Sequence, residues 1–399
     1  MEIPREPLLT AEVSDDEFGY KGWVVIHAVG ADGACGGVRL YPDVSKTEVQ
    51  LLAHAMTHKY AFFGKEMGGA KGGYQMPFDL PWAERKRALN TLGRHLEPLM
   101  NDYLYHPWTD MNSSAVDLEQ IFIGAGMEMN GIVDSSYHTA LSTFSGILAA
   151  AEYMELAPEE CTITIEGYGN VGTHLGTEIR NWGGKLIGCA TRKGAVANPK
   201  GLDIARINEL QSQHGDDWVK HSGAWDALAV DELHRLPMKI HVPCARVHSI
   251  TKSVASELSA DAIVPAANVP CTPDAQALLE SKGIVLLPDF IINGGGITGS
   301  SLGDLGEPDE SVRRVFTQDF RDMLVRLLKL AESQKKSTRA LAVKVAECNY
   351  SSIVESAHRE VSLHGKLIRS LQDRHILPQG KRGHQEARRL LGVINQVFR

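Results

Sequence analysis

One glycine triplet constrains this chain more than any other feature. Gly167, Gly169 and Gly172 form G-x-G-x-x-G directly after the short apolar run TITIE and directly before a helical pattern, and a second apolar run, KLIGCA, follows. In such a strand, turn, helix and strand series, the first glycine permits the tight turn. The second lets a pyrophosphate approach the backbone, and the third lets helix and strand pack closely. Three glycines can also mark a plain turn; the flanking elements in register point instead to a bound dinucleotide. Further apolar runs at KIHVPCA, AIVPAAN and GIVLLPDFI alternate with helical stretches, as in a parallel sheet covered on both faces.

The expected fold class is therefore α/β with two domains. Residues 136–305 are assigned to a Rossmann-type dinucleotide-binding domain and residues 1–135 to an α/β substrate-binding domain. Residues 306–399, almost wholly helical in pattern, are expected to pack back on the first domain. In that first domain GWVVIHAV and GGVRLYPDV read as strands. SKTEVQLLAHAMTHKYAFF, residues 85–104 and SAVDLEQIFIGAGMEM read as helices.

With 399 residues and 43% of them hydrophobic, two cores are affordable. The net charge of −8 is interspersed, with no basic stripe to gather phosphates, so no nucleic-acid partner is expected. Without an apolar run of about 18 residues or a secretory signal pattern, neither a membrane partner nor export is expected, and the cytoplasm is the expected compartment. The six cysteines include no CxxC pair, and His58, His174 and His248 lack ligand spacing, so no metal is expected.

Two residues stand out for chemistry. Lys71 lies among Gly68, Gly69, Gly72 and Gly73, where no side chains block a ligand; a lysine stripped of water there has a lowered pKa and becomes a usable base. Glycine beside lysine equally occurs in surface turns. Asp110, in HPWTDMNSS, is on its own a helix cap or turn residue, and gains interest only with a partner lysine. After the second dinucleotide strand, where an acidic residue commonly meets a ribose 2′-hydroxyl, the chain has Thr191, Arg192 and Lys193. Arg192 can pair with a 2′-phosphate, which favours NADP over NAD, although a solvated loop explains it nearly as well.

Taken together, GGVRLYPDV (36–44), MTHKYAFFGKEMGGAKGG (56–73), TDMNSS (109–114), TALSTFSGILAAAEY (139–153), GYGNVG (167–172), KGAVANPKGLDI (193–204), VPCA (242–245), AANVPCTPDA (266–275) and LPDFIINGGGIT (287–298) resemble the glutamate, leucine, phenylalanine and valine dehydrogenase family, in its order and over roughly residues 25–300. The resemblance implies reversible oxidative deamination of an L-amino acid to its 2-oxo acid and ammonia, with NADP or NAD. It implies that Lys71 activates the water that attacks the imine, that Asp110 exchanges a proton with the amino group, and that Lys59 holds the α-carboxylate. Cys35, Gly36 and Ser300 would line the substrate, while Thr139, Asn268 and Asn293 join Gly167, Gly169, Asn170, Val171, Gly172, Thr191 and Arg192 around the cofactor. A homo-oligomer assembled through the first domain is implied as well.

The departures concern the substrate. Glutamate-specific members carry a lysine just before GG-x-R, and Cys35 stands there instead; a side-chain carboxylate would lose its counter-charge, which argues for an apolar or unusual side chain. GSSLGDLGEPDE, beyond Thr298, follows the family pattern poorly. These changes leave two alternatives: a catalytically inactive nucleotide-binding paralogue with a regulatory role, or a specialised enzyme for a modified amino acid. Retention of Lys59, Lys71 and Asp110 together speaks against the first.

Overall fold

The structure is a computed structural model and describes residues 2–101, 104–129, 134–223, 225–304 and 309–358. It divides into two compact units, one built on Met1–Val133 with the chain from Val343, the other on Asp134–Ala342.

In the first unit, β1 (Leu9–Asp15), β2 (Tyr20–Ile26), β3 (Ala34–Leu40), β4 (Gly68–Tyr74) and β5 (His106–Thr109) form a sheet of order β1-β2-β4-β3-β5. The pairs β1/β2 and β2/β4 are antiparallel, and β3 runs parallel to both β4 and β5. Three helices accompany it: α1 (Lys46–Phe62), α2 (Trp82–Asn101) and α3 (Ala115–Gly124). The Ser45 side chain caps α1, and Ser114 with Asp117 forms a capping box on α3.

Alternation along the strands gives the sheet two faces. Val24, Ile26, Val38, Leu40 and Ala70 pack with Leu89, Leu92 and Leu96 of α2 and with Leu118 and Ile121 of α3. Val25, on the opposite face, packs with Val44 and with Val49 and Ala53 of α1. Each such fully buried Val or Leu contributes roughly 1.5–3 kcal/mol.

The glycine run around Lys71 is β4 itself, a central strand buried along its whole length, and not a turn open to a ligand. A Cβ at Gly68 would lie 1.8 Å from the Ala28 carbonyl oxygen, one at Gly69 2.2 Å from the Thr57 nitrogen, and one at Gly73 2.5 Å from a Val49 methyl. The space that these glycines leave is filled by neighbouring backbone and by α1. Glycine is depleted in strands, so the pattern GGAKGGY does not announce one.

The second unit carries β6 (Thr162–Glu166), β7 (Lys185–Thr191), β8 (Gly194–Ala197), β9 (Asp226–Leu228), β10 (Ile240–Pro243), β11 (Ala262–Ile263) and β12 (Val285–Leu286), in the order β12-β11-β10-β6-β7-β8-β9. The strands from β12 to β7 are parallel, and β8 and β9 extend the edge antiparallel. The helix α4 (Ser136–Tyr153) precedes the sheet and α5 (Asn170–Trp182) joins β6 to β7. Because the chain runs from β6 to β7 on one side and later returns to set β10 on the other, the carboxyl ends of β6 and β10 flank a topological switch point.

The expected C-terminal block divides between the units. Helices Asp309–Arg314 and Arg321–Gln334 go with the second unit. From Val343 the helix Thr338–His358 goes with the first, where Asn349 Nδ2 donates to the Phe62 carbonyl at 3.4 Å. The helices expected beyond residue 358 lie outside the described residues. Among the described residues no helix is long and apolar enough to cross a membrane.

Candidate active site and dinucleotide turn

Lys71 on β4, Arg39 on β3 and Asp110, the residue after β5, converge. Asp110 Oδ2 accepts a hydrogen bond from Arg39 Nε at 2.8 Å and lies 3.0 Å from Lys71 Nζ. Arg39 also pairs through Nη1 with Glu48 of α1. Lys71 and Arg39 are 3% and 4% exposed, so these charges sit largely out of water.

Local sequence explains the convergence. Parallel register sets Arg39 beside Gly73, two residues beyond Lys71 on the same face. A Cβ at Gly37 would strike the Asp110 Cβ at 2.7 Å, so glycine there admits the aspartate. The motif TDMNSS then holds it: the Asp110 N–H donates to Ser113 Oγ at 2.7 Å, and Asn112, at φ 57°, donates from Nδ2 to the Leu40 carbonyl at 2.9 Å. Ser114, not Asp110, caps α3.

Burial is the largest influence on Lys71 and pulls its pKa down; Arg39 adds to the lowering while Asp110 opposes it. For Asp110 burial alone would raise the carboxyl, but the Arg39 guanidinium and then the Lys71 ammonium hold it well below the usual carboxylate range. Burial pushes the Cys35 thiol up, partly offset by its hydrogen bond with Tyr60 of α1, and the Lys71 charge also reaches it.

Lys59 is 5% exposed in the last turn of α1. Cys35 is half-buried on β3, paired in register with Gly69. Gly36 is packed tightly, since a Cβ there would lie 1.7 Å from the Ala70 carbonyl oxygen, and its own carbonyl accepts from Tyr105 Oη at 3.1 Å. The side chain of Ser300 lies outside the described ones.

In the second unit the glycine turn does what its spacing requires. Gly167 has φ +105°, a region that only glycine enters readily, and its N–H donates to the Ala190 carbonyl at 3.0 Å. Gly169 is the N-cap of α5, and a Cβ on it would meet nothing within 4 Å, leaving its backbone open to an approaching phosphate. At Gly172 a Cβ would crowd the Gly167 carbonyl oxygen at 2.9 Å. Asn170 is exposed and Val171 half-buried at the start of α5. These residues fit a pyrophosphate at a helix N-terminus.

Past β7, Thr191 Oγ1 donates to the Asp216 carbonyl at 2.9 Å, and Arg192 Nε donates to Asp216 Oδ2 at 2.7 Å. Arg192 is therefore balanced by a carboxylate that lies 24 residues away in the chain. Asn293 Nδ2 donates to Asn268 Oδ1 and to the Ala267 carbonyl, both at 3.1 Å. The glycines that follow pack on α4: a Cβ at Gly295 would lie 2.1 Å from the His138 carbonyl oxygen, and one at Gly296 3.0 Å from Thr139 Oγ1. Thr139, Asn268 and Asn293 thus belong to one packed region.

A turn of this kind at the switch point of a doubly wound sheet marks a dinucleotide-dependent enzyme. Comparison with known proteins narrows the class. Residues 131–357 match the model of glutamate/leucine/phenylalanine/valine dehydrogenase and residues 8–123 that of the Glu/Leu/Phe/Val dehydrogenase dimerisation domain. The chain belongs to this family and is an NAD(P)-dependent amino acid dehydrogenase. It is 28% identical over 279 residues to NADP-specific glutamate dehydrogenase A1 of Halobacterium salinarum, covering 66% of this chain and 67% of that one. With glutamate dehydrogenase of Thermotoga maritima it shares 29% over 296 residues, 70% and 71% of the two chains. The hetero-hexameric glutamate dehydrogenase of Thermus thermophilus in a Leu-bound form superposes with TM-score 0.76 at 24% identity, over 89% of this chain and 91% of that one.

Sequence reasoning gave no role to Arg39 or Tyr60, although both lie in the matching segments, and missed Glu48 and Asp216. Arg39 and Glu48 had a usable signal, a charged residue inside an otherwise apolar strand and an acid in the first turn of the helix that covers it. Asp216 had none, because its contact with Arg192 depends on how residues 215–221 fold back.

Proposed function

We propose that the chain interconverts a non-glutamate L-amino acid, bearing an apolar or unusual side chain, with its 2-oxo acid and ammonia, preferring NADP to NAD. The observation that carries this reading is the half-buried Asp110 carboxylate shared by the buried Lys71 and Arg39. A nicotinamide held by the Gly167–Gly172 turn would supply the hydride acceptor.

Lys71, kept from water and lowered in pKa, takes the proton of the water that attacks the imine carbon. Asp110 exchanges a proton with the substrate amino group. Its two cations make it a weak base while Lys71 is charged; when Lys71 is neutral one counter-charge is gone and the proton affinity of Asp110 rises. The pair therefore moves protons in concert. Arg39, itself tied to Glu48, positions Asp110. Lys59 is assigned to the substrate α-carboxylate, Cys35, Gly36 and Ser300 to the substrate wall, and Thr139, Asn268 and Asn293 to the nicotinamide end.

Non-glutamate specificity rests on the neutral Cys35 thiol, which burial keeps protonated and which offers a side-chain carboxylate no charge. NADP preference rests on Arg192, whose partner Asp216 competes with a 2′-phosphate and limits the margin. Homo-oligomerisation in the cytoplasm is part of this proposal, supported by the dimerisation-domain match over residues 8–123.

The test is a substrate panel. Apolar, aromatic, acidic and modified L-amino acids are offered with NAD and with NADP, and absorbance at 340 nm is followed beside a Lys71→Ala variant. At least one non-glutamate substrate should turn over, and Lys71→Ala should lose turnover while retaining dinucleotide binding. Glutamate as the best substrate would overturn the specificity; an active Lys71→Ala would overturn the mechanism.

A further inference from the structure

Glu166 closes β6, immediately before the dinucleotide turn, and its carboxylate is buried. Across from it stand two buried histidines, His241 on the neighbouring strand β10 and His234 in the short helical turn Val230–Arg235. Glu166 Oε2 lies 3.7 Å from His234 Nε2 and 3.8 Å from His241 Nε2, and one ligand atom from each of the three residues lies within 4.8 Å of the others. These gaps exceed hydrogen-bond length. Accordingly Glu166 Oε2, both ring nitrogens of His234 and Nε2 of His241 are buried without a hydrogen-bond partner among the described residues. Buried polar atoms are nearly always partnered, and here four such atoms belong to three facing side chains.

We propose that Glu166, His234 and His241 form a binding site for a divalent transition-metal ion, with zinc the occupant that suits two imidazole nitrogens and one carboxylate. Zinc bonds of about 2.0–2.2 Å in a tetrahedral arrangement set ligand atoms roughly 3.4 Å apart, so the two separations from Glu166, 3.7 and 3.8 Å, need to close by only a few tenths of an ångström, and the two imidazoles, whose ligand atoms lie within 4.8 Å, draw together by rotation of the rings. The second layer is in place for one ligand: His241 Nδ1 is hydrogen-bonded to Thr164 Oγ1 at 2.8 Å, which turns Nε2 toward the carboxylate. Position supplies a further reason. A bare carboxylate beside Gly167 would repel the pyrophosphate that the turn is built to receive, and a cation bound there cancels that charge. The ion would tie β6, β10 and the 230–235 turn together at the foot of the dinucleotide turn. Ligand spacing along the chain does not announce such a site, since Glu166 and His241 meet only through strand pairing, and the expectation of no metal considered other histidines.

The test uses the full chain, stripped with a chelator and titrated with Zn²⁺ alone or Co²⁺ alone, beside His234→Gln and His241→Gln variants. Wild type should retain about one more equivalent of metal after dialysis than either variant, and should gain several degrees of melting temperature with Zn²⁺ that the variants do not gain. Bound Co²⁺ should show visible d–d bands without the near-ultraviolet bands of thiolate ligation. Wild type taking up no metal, equal uptake by wild type and variants, or thiolate bands from the free cysteines would each overturn the proposal. Where a variant fails to fold, the wild-type uptake and cobalt spectrum decide between nitrogen and oxygen ligands at this cluster and adventitious binding.

Discussion

Replacing Asp110 by Asn keeps the shape and one acceptor oxygen but removes the negative charge that Lys71 and Arg39 share. Both cations then stay buried, Arg39 with Glu48 and Lys71 with no anion among the partners described for it. Removing one member of a buried ion pair costs about 3–5 kcal/mol, mainly because the other charge is left uncompensated. With a urea dependence of about 1–3 kcal/mol per molar for a small domain, the midpoint for the first unit should fall by at least about 1 M. If an uncompensated Lys71 is the cause, Lys71→Met introduced on top of Asp110→Asn should restore at least about 1 kcal/mol, although Lys71→Met alone destabilises. The sign with pH follows from the depressed Asp110 pKa: its stabilisation is complete above the unfolded aspartate value of about 3.9 and is lost as pH falls toward the lower folded value. Wild type and Asp110→Asn should therefore differ fully at pH 7 and converge below about pH 4. Urea melts followed by tyrosine and tryptophan fluorescence at both pH values decide the matter. Simple additivity of the two substitutions, or a midpoint shift under about 0.3 M, would refute the charge-balance account.

The other expectations concern the dinucleotide turn. Gly167→Ala forces a Cβ into a left-handed φ and within 2.8 Å of the Cys244 carbonyl oxygen, and should cost about 1–3 kcal/mol of stability in a denaturant melt. Gly169→Ala meets no protein atom and should change stability by less than about 1 kcal/mol while weakening dinucleotide binding in a fluorescence titration; equal behaviour of the two variants would contradict the roles given to these glycines. Arg192→Gln removes an exposed cation facing Asp216 and should weaken NADP binding about tenfold, near 1.4 kcal/mol, with NAD nearly unaffected. Equal loss for both cofactors would remove Arg192 from 2′-phosphate recognition.

What could be read from the sequence differs between the two units for physical reasons. Around residues 162–190 each local choice agrees with the final structure: an apolar strand, a glycine that needs a positive φ, an amphipathic helix closed by Gly183 at φ +97°, and a second apolar strand. Around Lys71 local preference and tertiary structure disagree. A run of four glycines in seven residues has low strand propensity, yet it forms the middle of the sheet because α1 and the Ala28 backbone come so close that no side chain fits. The flanking glycines suggest open space around the lysine, and in the structure that space is protein.

The same contrast governs the charges. Lys71, Asp110 and Arg39 all stand in motifs, but the motifs do not say that Arg39 joins Lys71 in setting how strongly Asp110 holds a proton, nor that Glu48 pairs with that arginine. A lysine and an aspartate alone would be a simple ion pair, each stabilising the other's charge and leaving neither as a base. Adding Arg39 changes the outcome, because it neutralises Asp110 whether or not Lys71 is protonated, and its own charge pushes Lys71 toward the neutral form. Glu48 then keeps the arginine from being a surplus buried cation. The usable base in this site is thus a property of four side chains, on β3, on β4, just past the end of β5 and on α1, and it appears only when parallel pairing of β3 with β4 and β5 brings them into register.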